Sequence, residues 1–234
     1  MNSKIAGVFC GLVCSVASLA STREPSSDHL VPIDPYSNPT YRRLYKQKLF
    51  ITPGEVARFV SLPSAIQPEL AVSVYRAGAA GDAVVYMVTV TQPSSRLWDC
   101  IPTGDEKFTG RSIVDPRTIR TIRWDASLRE STANAIHTLW LAMLRQTKPD
   151  PCKNCADTDT STEIFATTDS RGKLLEARAP IAPKDRTSTL VNLAFSVADY
   201  TRASASQRPA LAERIERTAS DLEKWVPKRG NNEN

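Results

Sequence analysis

Three cysteines downstream of the N-terminal segment have the residue type and spacing for covalent chemistry. Cys152 and Cys155 form a C-x-x-C pair, and Cys100 precedes them. A redox pair needs its first cysteine at a helix N-terminus, where the dipole lowers the thiol pKa, whereas Pro149 and Pro151 place this pair just after the expected end of a helix. We therefore expect a structural disulfide or free loop thiols among these cysteines, with redox chemistry and zinc binding as the alternatives.

The candidate ligand-binding residues are Arg117, Arg120 and Arg123, which are spaced three apart. On a helix they would form one basic ridge, and on a strand they would alternate between the two faces. Guanidinium groups suit an anionic ligand such as a phospholipid head group or a cell-wall polymer. The alternative is that their aliphatic stems cover the edge of a sheet.

A second basic segment, Tyr41–Lys48, contains four basic residues among two tyrosines and one leucine. It is compatible either with an anionic surface contact or with a short element whose basic face is solvated. The formal charge of the whole chain is only +5. Because nucleic-acid binding requires a clustered basic face, this weak balance does not indicate a nucleic-acid partner.

The patterns for metal binding and phosphate binding are incomplete. Asp157, Asp159 and Glu163 alternate with threonine and serine, but the segment lacks the glycine and the number of oxygen ligands that an EF-hand loop requires. The chain contains no G-x-S-x-G motif, no P-loop and no G-x-G-x-x-G motif. We therefore predict no metal site and no cofactor.

His137 is the only histidine of the expected folded region. It lies at the flank of the apolar stripe of a predicted helix, a common position for a partly exposed histidine without a catalytic role. A dyad of Cys100 and His137 with Asp99 is an alternative that the sequence alone does not support. We therefore name no catalytic residue, and the chain is expected to be a non-enzymatic protein.

The first twenty residues predict a secretory signal peptide. Lys4 is followed by an apolar run, Ile5–Ala17, and Ser18–Ala20 supplies small residues at the cleavage positions. The run is shorter than the ~20 apolar residues that a spanning helix needs. We expect export to the periplasm or secretion, with an uncleaved membrane anchor as the alternative.

The elements that follow predict an α+β domain in which antiparallel β-hairpins form a sheet packed against three amphipathic helices. The strands rest on runs of β-branched and aromatic residues, and the helices on apolar residues at helical spacing. The predicted strands are Leu70–Tyr75, Ala83–Thr91, Thr162–Thr168 and Lys173–Arg178, with Arg96–Ile101 as a further candidate, and the predicted helices are Asp125–Gln146, Thr187–Ala203 and Pro209–Val226.

The predicted organisation has four parts. Residues 1–20 are the signal peptide, and residues 21–48 are a proline-rich linker with the short basic segment. Residues 49–228 are a single α+β domain, which is long enough to bury a core. Residues 229–234 are a disordered tail.

The function that these observations favour is that of an exported protein of the bacterial envelope, acting as a non-enzymatic binding or interaction domain. The expected partner is an envelope protein or an anionic surface, with membrane contact only through an uncleaved signal. One alternative is an envelope hydrolase whose site has no recognisable motif. The other is a thiol–disulfide redox protein that uses Cys152 and Cys155.

We predict that the mature protein begins at or near Ser21, because Ser18 and Ala20 carry the small side chains that signal peptidase requires. Mass spectrometry of the protein from a bacterial envelope fraction measures this directly. An intact N-terminus, Met1–Ala20, on protein recovered from the soluble cytoplasmic pool would contradict the prediction of export.

Overall fold

A six-stranded antiparallel sheet lies at the centre of the protein. The computed structural model describes residues 28–33, 38–50, 54–63, 67–80, 83–102, 104, 112–149, 161–180 and 185–226. In chain order the elements are α1 (Pro39–Leu49), β1 (Glu55–Leu62), β2 (Leu70–Ala80), β3 (Ala83–Pro93), a 3₁₀ helix (Leu97–Cys100), β4 (Thr121–Leu128), α2 (Glu130–Arg145), β5 (Thr162–Thr168), β6 (Leu174–Arg178), α3 (Asp185–Arg202) and α4 (Arg208–Lys224).

The strands are arranged in the order β4-β3-β2-β1-β5-β6, and every neighbouring pair is antiparallel. The predicted α+β class and the antiparallel sheet are therefore confirmed. Both predicted hairpins are present, as β2 with β3 and β5 with β6. In the second hairpin Gly172 has a φ of 76°, a conformation that costs glycine little.

The structure corrects the prediction of a helix from Asp125. Asp125 lies inside β4, and α2 begins at Glu130. A strand forms here because β4 pairs with β3 along its whole length, and because Ala126 and Leu128 alternate onto the buried face of the sheet. Pairing with a distant strand therefore outweighs the helical spacing that begins at Leu128.

Two further elements differ from the sequence predictions. The candidate strand Arg96–Ile101 contains the 3₁₀ helix, and β1 was not predicted at all. β1 lies between β2 and β5, so that it is covered on both sides. Arg58 in this strand is only 6% exposed. A charged residue usually indicates a position at the surface, so the sequence pattern did not predict that this short strand is buried.

Helices cover both faces of the sheet and create two hydrophobic clusters. On the face that carries Phe59, Val72 and Val88, which we call the three-helix face, α2, α3 and α4 form the larger cluster. On the opposite face, which we call the α1 face, α1 and the 3₁₀ helix pack against Val60 and Ala71. The sheet is therefore the middle layer of the molecule.

The folded part begins earlier than the predicted boundary at Leu49. Among the described residues, α1 is a helix additional to the three predicted ones, and all of it except Leu49 belongs to the segment predicted as linker and basic segment. Leu30 and Val31 are fully buried, and Val31 forms an antiparallel bridge with Arg178. Two apolar residues among prolines have no periodicity, so only their contact with the edge of β6 reveals that they belong to the core.

The described residues include no helix that is both long enough and apolar enough to cross a membrane. The predicted signal peptide (1–20) and tail (229–234) lie outside the described residues.

We predict that Leu139→Ala lowers the free energy of unfolding by about 2–5 kcal/mol, because Leu139 is fully buried in the larger cluster. His137→Ala should cost much less, because the ring is half-buried at the flank of α2 and has one hydrogen-bonding contact, from Nε2 to the Thr168 carbonyl at 3.1 Å. Chemical denaturation of both variants measures the difference. Equal shifts of the unfolding midpoint would contradict the observed orientation of α2.

Candidate functional site

The α1 face contains a short basic helix whose position is fixed at both ends. The Asn38 side chain caps the N-terminus by accepting hydrogen bonds from the backbone N–H groups of Thr40 and Tyr41 at 3.0 and 3.1 Å. Leu44 and Leu49 are buried against the sheet. The basic residues of α1 therefore lie at its flanks and on its solvent side, where Arg43 is exposed.

A buried carboxylate holds α1 on the sheet. Glu69 is 1% exposed, and its Oε1 accepts a hydrogen bond from the Tyr41 hydroxyl at 2.6 Å. The same carboxylate accepts the backbone N–H groups of Leu97 and Trp98 at 2.8 and 3.0 Å, at the start of the 3₁₀ helix. Burial, together with the Glu69 carboxylate, raises the pKa of Tyr41 far above its usual value. Tyr41 therefore stays protonated and remains a hydrogen-bond donor.

Further carboxylates on this face are bound to two of its arginines. Glu176 lies 3.0 Å from the Arg42 guanidinium and 3.6 Å from that of Arg58. Glu55 binds Arg58 at 2.6 Å and also accepts the Ser73 hydroxyl at 2.6 Å. The negative charge of Glu55 and Glu176 is therefore compensated inside this cluster, since a buried charge requires a partner.

Other cations on the α1 side have no such partner. The Lys48 ammonium donates to the Ile119 carbonyl at 3.2 Å, which joins the C-terminal end of α1 to the loop that contains Arg117. Within the described ranges, Arg43, Lys46, Lys48 and Arg117 form no side-chain ion pair. The structure therefore brings the basic segment Tyr41–Lys48 and the loop of predicted ligand-binding arginines to one side of the molecule.

The three predicted arginines themselves do not form one ridge. Arg117 lies in a turn, Arg120 directly precedes β4, and Arg123 lies within β4. Residues an odd number apart in an extended chain point to opposite faces, so Arg120 and Arg123 diverge. The Arg123 Nε is 2.9 and 3.0 Å from the two carboxylate oxygens of Asp125. Arg123 is therefore already engaged by this carboxylate.

Asp125 and Arg123 belong to a small polar cluster on the α1 face. The Thr89 hydroxyl donates to Asp125 Oδ1, and an Arg123 terminal nitrogen lies 3.3 Å from the Tyr75 hydroxyl. These residues converge because β2, β3 and β4 pair in a register that aligns Ser73, Thr89 and Asp125 across the sheet. Sequence analysis did not find this cluster, since its members are distant along the chain.

The cysteines give no sign of a reactive thiol in the described residues. Cys100 is buried and free in the 3₁₀ helix. Burial raises the pKa of its thiol, and the nearby Asp99 carboxylate raises it further, so the thiolate that reacts is disfavoured. Cys152 and Cys155 lie outside the described residues, and the disulfide and redox interpretations of the pair stay predictions.

The alternative dyad of Cys100 and His137 is not formed. Cys100 belongs to the cluster on the α1 face, whereas His137 is part of α2 on the three-helix face. The His137 ring contacts the Thr168 carbonyl. Within the described ranges, no group of three histidine, cysteine, aspartate or glutamate residues has the geometry to hold a metal ion. Asp157 and Asp159 lie outside those ranges.

A cavity of about 490 Å³ lies between the start of α3 and the end of α4. Sequence analysis missed it, because its walls come from three separate segments. Trp225, which is 64% exposed, is at its mouth. The Arg186 guanidinium lies 5.7 Å from the Trp225 ring centroid and 3.1 Å from the Asp28 carboxylate. The protein's own Arg186 thus occupies the aromatic ring of Trp225 and the Asp28 carboxylate, and Lys224 pairs with a second lining carboxylate, that of Asp221.

Glu163 is a buried acid with a hydrogen bond to only one of its two carboxylate oxygens among the described residues. It is 8% exposed, its Oε1 accepts the Ser61 hydroxyl at 3.1 Å, and its Oε2 has no hydrogen-bond partner among the described residues. Burial raises the pKa of Glu163 to about 7, although hydrogen bonds from Ser161 and Ser61 oppose the shift. Glu163 lies in β5 rather than in a calcium-binding loop.

Comparisons with known proteins add no family to this description. No protein-family model, no curated protein and no solved structure matches the chain.

We predict that Glu163→Gln removes a pH-dependent loss of stability. Because the folded state raises the pKa of Glu163 to about 7, it binds the proton more tightly than the unfolded chain. Stability is therefore fully present below the unfolded pKa and is lost as the pH rises toward about 7. Between about pH 4.5 and about pH 8, the free energy of unfolding of the unmodified protein should fall relative to that of Glu163→Gln by up to about 3 kcal/mol.

Denaturant unfolding at several pH values measures this difference. The exposed residue Glu223, on α4, provides the matched control, since Glu223→Gln should leave the pH dependence of unfolding unchanged. Parallel pH profiles for the unmodified protein and Glu163→Gln would contradict the assignment.

Proposed function

We propose that this chain is an exported, non-enzymatic interaction protein that binds an anionic surface through its basic α1 face. The contact consists of the solvent side of α1 and the adjoining Arg117 turn. The observation that carries the proposal is the position of Arg43, Lys46, Lys48 and Arg117 on one side of the molecule without ion-pair partners in the described residues.

The pairing of charges on the α1 face supports binding to an anionic surface more strongly than the net charge of the chain does. The formal charge of the chain is only +5. On the α1 face, however, Glu55 and Glu176 are bound to Arg42 and Arg58, so their negative charge is compensated within this face. The Asp115 carboxylate, in the turn that contains Arg117, accepts the Arg117 backbone N–H at 2.9 Å and reduces the positive charge there by one. Each lysine or arginine near an anionic membrane surface contributes about 1 kcal/mol of attraction.

The anchoring of α1 supports the same function. A charged helix that moved freely would lose conformational entropy on binding. Here the hydrogen bond between Tyr41 and Glu69 and the bond from Lys48 to the Ile119 carbonyl already hold the helix and the loop in place. The basic side chains are therefore presented on a rigid support, and binding orders only their outer ends.

The predicted signal peptide places such a surface where anionic phosphates are abundant, since membrane head groups and envelope polymers both carry them. The hydrolase alternative has less support within the described residues, whereas the redox alternative depends on Cys152 and Cys155, which lie outside them. His137 is bound to a backbone carbonyl, and the Cys100 thiol is buried with a raised pKa. Neither group is disposed as a base or a nucleophile.

We predict that the mature protein binds vesicles containing phosphatidylglycerol and that the double variant Arg43→Glu/Arg117→Glu weakens this binding by at least about tenfold, because two attractive charges become repulsive. Co-sedimentation with vesicles over a range of lipid concentrations measures the affinity. Added salt should weaken the binding of the unmodified protein, because surface charges are screened.

The matched control is Arg214→Glu/Arg217→Glu, which makes the same change of charge at exposed positions of α4 on the other side of the sheet. This control should retain most of the affinity. The proposal is wrong if both double variants lose affinity equally, or if the unmodified protein binds phosphatidylcholine vesicles as well as anionic ones.

A further inference from the structure

The outer edge of β4 has no neighbouring strand in the part of the chain that the structure describes. At the opposite end of the sheet, the backbone of Val31 exchanges two hydrogen bonds of 2.9 Å with Arg178, the last residue of β6. Among the described residues, no strand pairs with β4 on the side away from β3. An edge of this kind presents backbone donors and acceptors that another strand can bind.

The register identifies the backbone groups that face outward. The Ser94 N–H donates to the Arg120 carbonyl at 2.8 Å, so position 120 faces β3. Positions alternate along an antiparallel ladder, so Thr121, Arg123, Asp125 and Ser127 direct their N–H and C=O groups away from β3. The Tyr200 hydroxyl, which donates to the Ser127 carbonyl at 2.7 Å, agrees with this direction.

We propose that this edge binds the same edge of a second copy of the chain, in antiparallel register about a two-fold axis at Trp124. In this register Arg123 lies opposite the partner's Asp125, and Asp125 lies opposite the partner's Arg123. Both pairs are favourable cross-strand pairs of opposite charge. Two six-stranded sheets then form one continuous sheet.

Charge complementarity selects this register over its neighbours. An axis at Arg123 would place two guanidinium groups opposite each other, and an axis at Asp125 would place two carboxylates opposite each other. Like charges directly opposite in a sheet are destabilising. A shift of the register by one residue would place residues whose backbone groups face the partner strand opposite residues whose backbone groups face β3. The two strands could then not form their hydrogen bonds.

An exposed apolar residue supports the same contact independently. Ile122 is 45% exposed, although it lies in a strand beside the half-buried Trp124. About an axis at Trp124, Ile122 lies opposite the partner's Ala126 and next to the partner's Trp124. Pairing the two edges therefore covers an apolar side chain that the single chain leaves in water.

The experiment compares two single variants, Arg123→Asp and Asp125→Arg, by sedimentation velocity over a range of concentrations. The unmodified protein should be a dimer in equilibrium with monomer. Each single variant should raise the dimer Kd at least about tenfold, because like charges then face each other. An equimolar mixture of the two should restore dimers, because one variant is acidic at both positions and the other is basic at both.

The exchanged variant Arg123→Asp/Asp125→Arg should also dimerise, because it keeps opposite charges opposite. Circular dichroism and thermal unfolding confirm that each variant folds, which is necessary because Arg123 and Asp125 also contact Tyr75 and Thr89. Thr121→Pro gives a second approach, since it removes an outward N–H without removing a bond to β3. It should weaken the dimer, whereas Thr121→Ala should not.

Three outcomes overturn the proposal. The first is an unmodified protein that stays monomeric throughout. The second is a dimer whose Kd is unchanged by both single charge variants and by Thr121→Pro, which would place the contact on another surface. The third is a mixture of the two folded single variants that forms no more dimer than either alone.

Discussion

The buried carboxylate of Glu69 is the interaction on which the α1 side of the protein depends. A carboxylate that is almost fully removed from water is stable only if its oxygens are hydrogen-bonded. Here it receives the Tyr41 hydroxyl and two backbone N–H groups of the 3₁₀ helix. One side chain therefore joins α1, the 3₁₀ helix and the start of β2, and together with the buried Leu44 and Leu49 it fixes the position of the basic helix.

The electrostatic character of that surface follows from the way charges are paired inside the sheet. Arg58 is 6% exposed and lies between Glu55 and Glu176, with its guanidinium 3.7 Å from the Phe50 ring centroid. Pairing removes these carboxylates from the surface potential, while Arg43 and Arg117 remain exposed to solvent. On this face the paired carboxylates of Glu55 and Glu176 therefore compensate Arg58 and Arg42, and the exposed guanidinium groups are those of other arginines.

The two edge strands of the sheet differ in their backbone hydrogen bonding. At β6, Val31 of the N-terminal segment forms an antiparallel bridge with Arg178, the last residue of the strand. At β4, the backbone groups of alternate residues point outward, and among the described residues the Ser127 carbonyl accepts a hydrogen bond from the Tyr200 hydroxyl. Charged residues on an edge strand ordinarily discourage pairing with other strands. In β4, however, Arg123 and Asp125 are two residues apart, so each would lie opposite the other's counterpart in an antiparallel second copy of the strand. The same charges therefore favour pairing with a second copy of this chain, in one register.

The amino-acid sequence by itself determined the elements whose signals are local. The hairpin strands follow from runs of β-branched residues, and the buried stripe of α2, with Ile136 and Leu139, follows from helical spacing. The α+β class follows from the order of these elements. None of these inferences needs information about a distant segment, because strand and helix periodicities are properties of neighbouring residues.

Only the tertiary structure decided the rest, because the deciding contacts join residues that are far apart in the chain. β4 is a strand because it pairs with β3, although its last residue also begins a helical pattern. Leu30 is part of the core because it is buried with residues from the sheet and the helices. The three arginines separate because one lies in a turn and another is bound by Asp125. The sequence did not predict the burial of Glu69 and Arg58 either. A charged residue is expected at the surface unless groups elsewhere in the chain compensate its charge, and those groups are known only from the tertiary structure.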